Sequence, residues 1–240
     1  MKPANFLKTI SALCFASIAL PSSASTDFTQ LKSLTQAEFS KLSQDFTSAA
    51  SYKGVIPATP LGITGFDLGV ELSMTQLGDS AVWKKSGADI STLVMPKLHV
   101  HKGLPFNIDL GASLVAVPNS DIKLMGMEAR YAFIEGGIAI PAVSVRGALT
   151  KLSGVSQLDL DTKSLEFMVS KGFVMFTPYA GVGRVWGSVT PNVGNLKKVS
   201  PTANKLFAGL NANFGLVNLA AEVDRTGDND TVSVKLGFRW

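Results

Sequence analysis

Hydrophobic and polar residues alternate with a period of two over most of the chain after residue 62. In segment 65–75, apolar side chains occupy every second position, and Asp, Gly, Glu, Ser and Thr occupy the others. The same alternation recurs in 107–116, 206–214 and 231–240. Because successive side chains of a strand point to opposite faces, this pattern predicts strands with one apolar and one polar face.

About ten such segments are predicted, separated by turn residues. Most are close to the length that a tilted transmembrane strand needs. A soluble sandwich would also alternate, with its apolar face inward. Here the polar face is rich in Gly, Ser and Asn with isolated charges, which favours a crowded lumen. Pro96 interrupts one segment and predicts a bulge or a strand boundary there. The segments are 63–77, 91–101, 106–117, 122–134, 142–153, 159–170, 174–189, 203–214, 218–226 and 231–240.

The first 24 residues have the three parts of a secretory signal peptide. Lys2 and Lys8 are basic, 12–20 is an apolar run too short to span a bilayer, and small residues follow up to Ala24. Cleavage is expected after Ala24, so the protein is predicted to be exported. The single cysteine, Cys14, lies in the removed segment, which excludes disulfide and thiol chemistry from the mature chain.

The last five residues, Leu236-Gly237-Phe238-Arg239-Trp240, alternate and end on an aromatic residue. With the export signal, this segment resembles the C-terminal strand by which Gram-negative outer-membrane barrels are recognised for assembly. The resemblance implies an all-β fold, a closed antiparallel transmembrane β-barrel of about ten strands in the cell outer membrane. It also implies outer-membrane lipids and the barrel-assembly machinery as partners, with Phe238 and Trp240 as the assembly signal. The longer connections, 78–90 and 190–202, are then expected on the extracellular side.

A short N-terminal amphipathic helix is predicted at 36–50. Thr35 and Glu38 have the spacing of a capping box, and three apolar residues recur at helical spacing, namely Phe39, Leu42 and Phe46. This helix could lie on the membrane surface, plug the pore or pack on the barrel. The domain prediction is therefore a signal peptide at 1–24, a periplasmic helix and linker at 25–60, and the barrel at 61–240.

Composition and charge narrow the class of protein. With 46% hydrophobic and 17% charged residues, the chain is too apolar for a disordered protein. Its formal net charge of +4 falls to +2 when Lys2 and Lys8 are removed with the signal peptide. That field is too weak to indicate a nucleic-acid partner.

Inward-facing charges of opposite sign meet when neighbouring strands are aligned on their turns, because antiparallel partners keep a constant sum of residue numbers. A turn at 227–230 sets Glu222 opposite Lys235, and the closing seam sets Asp67 opposite Arg239. We expect ion pairs to line the lumen, namely Asp67–Arg239, Glu71–Lys235–Glu222, Asp109–Arg130 and Arg146–Glu166. Other polar residues predicted to face the lumen are Lys97, His99, His101 and Glu128.

A lumen of about ten strands that is filled by long paired side chains is narrow or blocked. The predicted function is a narrow or gated passage for a small or apolar solute. The alternative is a structural or adhesive barrel that acts through loops 78–90 and 190–202. A lipid-modifying enzyme or protease is the least favoured, since His99 and His101 are expected to neighbour Asn107 and Lys97 in place of a carboxylate. No catalytic residue, metal site or cofactor is predicted.

Overall fold

The structure, a computed structural model, describes residues 30–116 and 122–240. It confirms the ten predicted strands, with small shifts at their ends. The predicted signal peptide, residues 1–24, lies outside the described residues. The strands are β1 Phe66–Gln76, β2 Thr92–Gly103, β3 Ile108–Ala116, β4 Lys123–Ile134, β5 Ala142–Ser153, β6 Leu158–Ser170, β7 Phe176–Pro191, β8 Thr202–Phe214, β9 Val217–Thr226 and β10 Asn229–Arg239.

Each strand pairs antiparallel with its neighbours in sequence, and β1 pairs with β10, so the sheet closes into a barrel. Phe66 and Trp240 exchange backbone hydrogen bonds, and their rings stack at 5.2 Å between centroids. We call the end of the barrel that holds these two residues the short-turn end. The opposite, long-loop end carries the two longest described connections, 77–91 and 192–201.

The surface of the barrel is inverted relative to that of a water-soluble protein. Leu68 and Val70 of β1 are 51% and 53% exposed on the outside, whereas Asp67 and Glu71 of the same strand are buried in the lumen. The other strands repeat this alternation. An apolar exterior around a polar interior is the distribution that a lipid environment requires.

Pro96 does not mark the predicted bulge. It pairs in unbroken register with Leu72 of β1. On its other side, the described ladder between β2 and β3 begins only at Leu98. Proline is tolerated because no strand pairs on that side at this position. The one register shift in the described ladders lies between Ala132 and Ile134 of β4.

The predicted helix is present as α1, Gln36–Ala50. The Thr35 hydroxyl accepts a hydrogen bond from the Glu38 N–H, and the Glu38 carboxylate accepts one from the Thr35 N–H at 2.7 Å. A second helix, α2 at Ser80–Ser86, lies in the 77–91 connection and was not predicted. Within residues 30–116 and 122–240, no helix has the length and apolarity needed to cross a membrane.

Helix α1 lies in the long-loop end of the barrel, against β6, β7, β10 and α2. From Ser51 to Pro60 the chain has no regular secondary structure and runs through the lumen to β1 at the short-turn end. Ten extended residues reach about 33 Å, enough to cross a hydrocarbon core of about 30 Å. Helix α1 and the start of β1 therefore lie at opposite ends of the barrel, and not at the same end as predicted. We call residues 36–60 the plug.

Candidate functional site

Asp45, on the buried side of α1, fixes the plug to the long-loop end. Its carboxylate accepts hydrogen bonds from the indole N–H of Trp83 at 2.7 Å and from the side-chain amide of Asn229 at 2.8 Å. The backbone N–H of Gly78 donates a third at 3.1 Å. Because a buried carboxylate is costly without such donors, Asp45 holds α1, the 77–91 connection and the start of β10 together.

An apolar cluster surrounds this carboxylate. The predicted residues Phe39, Leu42 and Phe46 are all buried in it, and the ring of Phe46 lies 4.8 Å from that of Trp83. The helix therefore packs in the mouth of the barrel and does not lie on the membrane surface. The buried members from α2 and the wall are Val82, Met95, Val115, Leu124, Leu158, Leu160 and Val189.

Two exposed ion pairs tie α1 to the 77–91 connection outside the membrane-spanning strands. The Lys85 ammonium lies 2.8 Å from Glu38, and the Lys41 ammonium lies 3.0 Å from Asp79. The hydrogen bond from Lys85, with that from the backbone of Thr35, lowers the pKa of Glu38 to about 2. The bond from Lys41 likewise lowers the pKa of Asp79.

Below the helix, wall side chains bind the carbonyl groups of the plug. The Thr150 hydroxyl donates to the carbonyl of Ala50 at 2.9 Å, and the Lys205 ammonium donates to that of Tyr52 at 2.8 Å. The Arg130 guanidinium donates to the carbonyl of Pro57 at 2.6 Å. Irregular backbone at membrane depth is tolerated only where the protein supplies such partners.

The plug's N–H groups are bound near the short-turn end. The N–H of Thr59 donates to the Ser170 hydroxyl at 3.1 Å, and the two hydroxyl oxygens lie 3.0 Å apart. Directly after the plug, the N–H of Leu61 donates to the Asp109 carboxylate at 3.1 Å. The wall therefore binds the plug mainly through its backbone.

Two of the predicted ion pairs are confirmed. Asp109 lies opposite Arg130, with carboxylate and guanidinium 2.6 Å apart. Arg146 lies opposite Glu166 and donates to it from Nε at 2.9 Å. Lys205 adds a second cation to Glu166 at 3.1 Å. All five side chains are buried, so the pairing compensates charges that could not be buried alone.

Across the closing seam the predicted register is confirmed, but the predicted ion pairs do not form. Asp67 lies opposite Arg239, and Glu71 lies opposite Lys235. The Lys235 ammonium instead reaches diagonally to Asp67, at 2.8 Å, and Arg239 donates to Asn211 at 3.4 Å. The long Lys235 side chain passes over Gly69, which has no side chain, to reach the next inward residue of β1, and an alignment of direct partners does not consider such a contact.

The predicted alignment of Glu222 with Lys235 is wrong. The turn between β9 and β10 has two residues, Gly227–Asp228, instead of the assumed four, so Glu222 lies opposite Ser233. Gly227 has a φ of 62°, which suits the tight turn. Glu222 still faces the lumen, where it accepts a hydrogen bond from the Tyr179 hydroxyl at 3.0 Å.

The two histidines lie in the lumen as predicted, but their neighbours differ from the prediction. His99 contacts the carboxylate of Glu71. His101 lies 3.4 Å from the Glu128 carboxylate and 3.4 Å from the Tyr52 hydroxyl of the plug. The expectation that no carboxylate neighbours them is wrong. Glu71 lies diagonally from His99 on the neighbouring strand β1, and Glu128 of β4 reaches His101 past Gly111 of β3, which has no side chain.

The two residues expected beside the histidines lie elsewhere or have other partners. Asn107 is in a turn, where its side chain donates to Glu135 at 2.8 Å. The Lys97 ammonium binds Glu71 at 2.7 Å and the Ser73 hydroxyl at 2.9 Å. In the part of the chain that the structure describes, no three His, Cys, Asp or Glu side chains are grouped to hold a metal ion.

Four charged residues of this site were missed from the sequence. Lys205 and Asp224 occupy inward positions of alternating strands, so extending the alternation along β8 and β9 identifies them. Asp45 and Lys53 lie on the plug and carry no comparable signal. Lys53, fully buried, donates to the Ser48 carbonyl at 3.0 Å and lies 3.9 Å from Asp224.

No family model matches the chain, and no curated protein matches its sequence. Similar solved structures include the translocator domain of the autotransporter NalP from Neisseria meningitidis, at 11% identity over 85% of this chain and 97% of that one, with a TM-score of 0.39. Others are the KdgM porin, at 8% identity over 72% and 99% with a TM-score of 0.37, and Ail, the attachment invasion locus protein of Yersinia pestis, at 13% over 73% and 98% with a TM-score of 0.32.

The barrel's own geometry defines its environment. An even number of antiparallel strands closes without a free edge, and apolar side chains face outward around a charged lumen. Only a lipid phase stabilises such an exterior, and the closed ladder satisfies most backbone groups of the wall within it. The chain is an outer-membrane β-barrel.

Proposed function

We propose that the barrel is a gated passage for a small polar solute, and that its gate is the plug, residues 36–60. The observation that carries the proposal is the course of Ser51–Pro60 along the whole lumen. In outer-membrane barrels the longer connections face the cell exterior, which assigns the long-loop end, with α1, to the extracellular side.

The way in which the plug is bound favours a plug that can move over one that is a permanent part of the core. The backbone carbonyls of the plug are bound by three wall side chains, Arg130, Thr150 and Lys205. Once the plug moves, these side chains are available to bind a solute. A cavity of about 440 Å³ already lies beneath the plug at the short-turn end, where Thr59 and Arg239 line it. A shift of the plug would connect this cavity to the upper lumen.

The chemistry of the lumen selects the solute. Both signs of charge are present along the lumen, on Asp67, Glu166, Arg146 and Lys235. Such a wall would bind ionic or hydrogen-bonding groups and would disfavour an apolar molecule. The sequence predicted a small or apolar solute, and this wall favours a small solute that carries polar groups.

We also infer that the barrel is not an enzyme. The imidazoles of His99 and His101 are fully buried beneath the plug. Ser113 of β3 lies directly opposite His99 but forms no hydrogen bond with it among the described contacts, and the hydroxyl of Ser73 on β1 is engaged with Glu71, Lys97 and Ser233. Among the described residues, no serine hydroxyl is hydrogen-bonded to either histidine, as a nucleophile–base pair would require.

A structural or surface-interaction barrel is the second candidate. The packed cap formed by α1, α2 and the 192–201 connection favours it, because a rigid cap presents a constant outer surface. The two candidates differ in whether the plug moves.

Conductance in planar bilayers with a lockable plug tests the proposal. The hydroxyls of Thr59 and Ser170 are 3.0 Å apart, so Thr59→Cys/Ser170→Cys places a disulfide between plug and wall. We expect brief conductance steps from the unmodified protein, none from the oxidised double variant, and their return on reduction with dithiothreitol.

The matched control is Thr75→Cys/Thr231→Cys, whose hydroxyls are also 3.0 Å apart but belong to two wall strands. Its oxidation should leave the steps unchanged. Steps that persist when the plug is locked would contradict the gate. Absence of steps from every form would favour the structural or surface-interaction barrel.

A further inference from the structure

The apolar belt on the outside of the barrel ends, toward the long-loop end, in a row of polar residues with uneven charge. On β10, β1 and β2 the first outward polar residues above the belt are Asp230, Gln76 and Thr92. On the opposite side of the barrel the row is mostly cationic, with Asp161 of β6 opposite Lys151 of β5. From β4 to β9 it consists of Lys123, Lys151, Lys163, Arg184, Asn204 and Arg225.

A groove of about 720 Å³ lies in the belt directly below part of this cationic row. Its walls are apolar: Phe167, Val182 and Leu206 line it and are 53%, 54% and 60% exposed. Arg184 and Arg225 line its upper part together with Trp186 and Asn204. The groove therefore combines a cationic rim with an apolar floor.

The strand register brings the rim and the floor together. Arg184 of β7 lies directly between Leu165 of β6 and Asn204 of β8. Arg225 of β9 lies directly opposite Leu206 of β8. Both arginines thus flank β8 at the same edge of the belt.

The charges at the rim are incompletely compensated. Arg184 has no ion pair or side-chain hydrogen bond with any of residues 30–116 and 122–240. Arg225 forms an ion pair with Asp230 at 3.7 Å, and both side chains are exposed to solvent. A cation that faces lipid is unfavourable in proportion to its depth, and an anion at the rim would compensate it.

We infer that this groove binds a phosphate-bearing glycolipid of the outer leaflet, with its phosphate between Arg184 and Arg225 and an acyl chain along Phe167, Val182 and Leu206. The planar guanidinium matches phosphate through paired hydrogen bonds. Trp186 lies at the level where indole rings favour the lipid headgroup zone. This site is on the outer wall and is independent of the gate, and its place in the outer leaflet rests on the extracellular orientation proposed for the long-loop end.

Native mass spectrometry of the full mature chain in neutral detergent tests the site, with lipid A as the probe. We expect one saturable lipid adduct, and about tenfold weaker binding in Arg184→Gln/Arg225→Gln. A neutral diacyl glycolipid should bind the unmodified protein weakly and without saturation. That comparison needs no variant and so tests the phosphate requirement even if the double variant folds poorly.

The matched control is Lys123→Gln/Lys151→Gln, which removes the same charge from the same polar row outside the groove. It should change lipid A affinity by less than about twofold. An equal loss of lipid A affinity in the two double variants would mean that only the net positive charge of the protein matters, and would overturn the site. Equal binding of the neutral glycolipid, or a protein dimer as the sole saturable species, would also overturn it.

Discussion

The indole N–H of Trp83 donates a hydrogen bond to the carboxylate of Asp45 at 2.7 Å, and so joins the 77–91 connection to the plug. Both residues are buried, at 1% and 5% exposure. Asn229 donates to the same carboxylate from the start of β10. A single carboxylate therefore links three segments that are distant in sequence.

Replacing Asp45 with Ala should loosen the plug without unfolding the barrel. The change removes three hydrogen bonds, those that Asp45 accepts from Trp83, Asn229 and Gly78, which costs about 3 kcal/mol in the docking of α1. Hydrogen exchange of the α1 amides should then accelerate by roughly 100-fold. Asp89→Ala is the control, because its ion pair with Lys84 is largely exposed and contributes little. Unchanged hydrogen exchange in Asp45→Ala would show that the Asp45 carboxylate does not hold α1 in place.

Replacing Gly54 with Ala should displace the middle of the plug. A Cβ at this position would overlap the Arg146 guanidinium, which is held by Glu166. Overpacking of this kind costs about 1–3 kcal/mol, and we expect more frequent conductance steps. Gly147→Ala is the control, since a Cβ at Gly147 meets no atom within 4 Å. Similar conductance in the two variants would contradict close packing at Gly54.

The docking of α1 should weaken in acid through Glu38. Its pKa is lowered from 4.5 to about 2 in the folded protein, so its contribution is complete above about pH 4.5 and is lost as the pH falls toward 2. Trp83 fluorescence, in a Trp186→Phe/Trp240→Phe background, should report the change over that interval. Glu38→Gln retains a capping side chain but cannot ionise, so its fluorescence should show a smaller change. An identical acid transition in Glu38→Gln would assign the effect to another group.

Surface labelling of intact cells should place α1 outside the cell. The Lys41 side chain is 61% exposed at the long-loop end, whereas Val174 is fully exposed in a turn at the short-turn end. A membrane-impermeant maleimide should label Lys41→Cys in intact cells and Val174→Cys only after the outer membrane is permeabilised. The mature chain is predicted to contain no other cysteine. The reverse labelling pattern would invert the assigned orientation.

The alternation along the chain was sufficient to predict the architecture and much of the register. The residue pattern of each strand determines which of its faces is apolar, and a tight turn fixes the register between two neighbouring strands. Asp109 and Arg130 were aligned correctly for this reason, as were Arg146 and Glu166. Glu222 was misaligned because the sequence does not say how many residues a turn containing Gly227 uses.

The sequence by itself determined the ten-strand barrel, its inverted surface, the inward charges and the capped helix, because these depend on periodicity and local spacing. Only the tertiary structure decided where the plug lies, which end of the barrel α1 occupies, and that carboxylates neighbour His99 and His101. Those features arise from inward side chains reaching beyond their direct cross-strand partners and from the plug's irregular backbone finding partners on the wall. Neither relationship has a period or a spacing along the chain, so no local pattern encodes it.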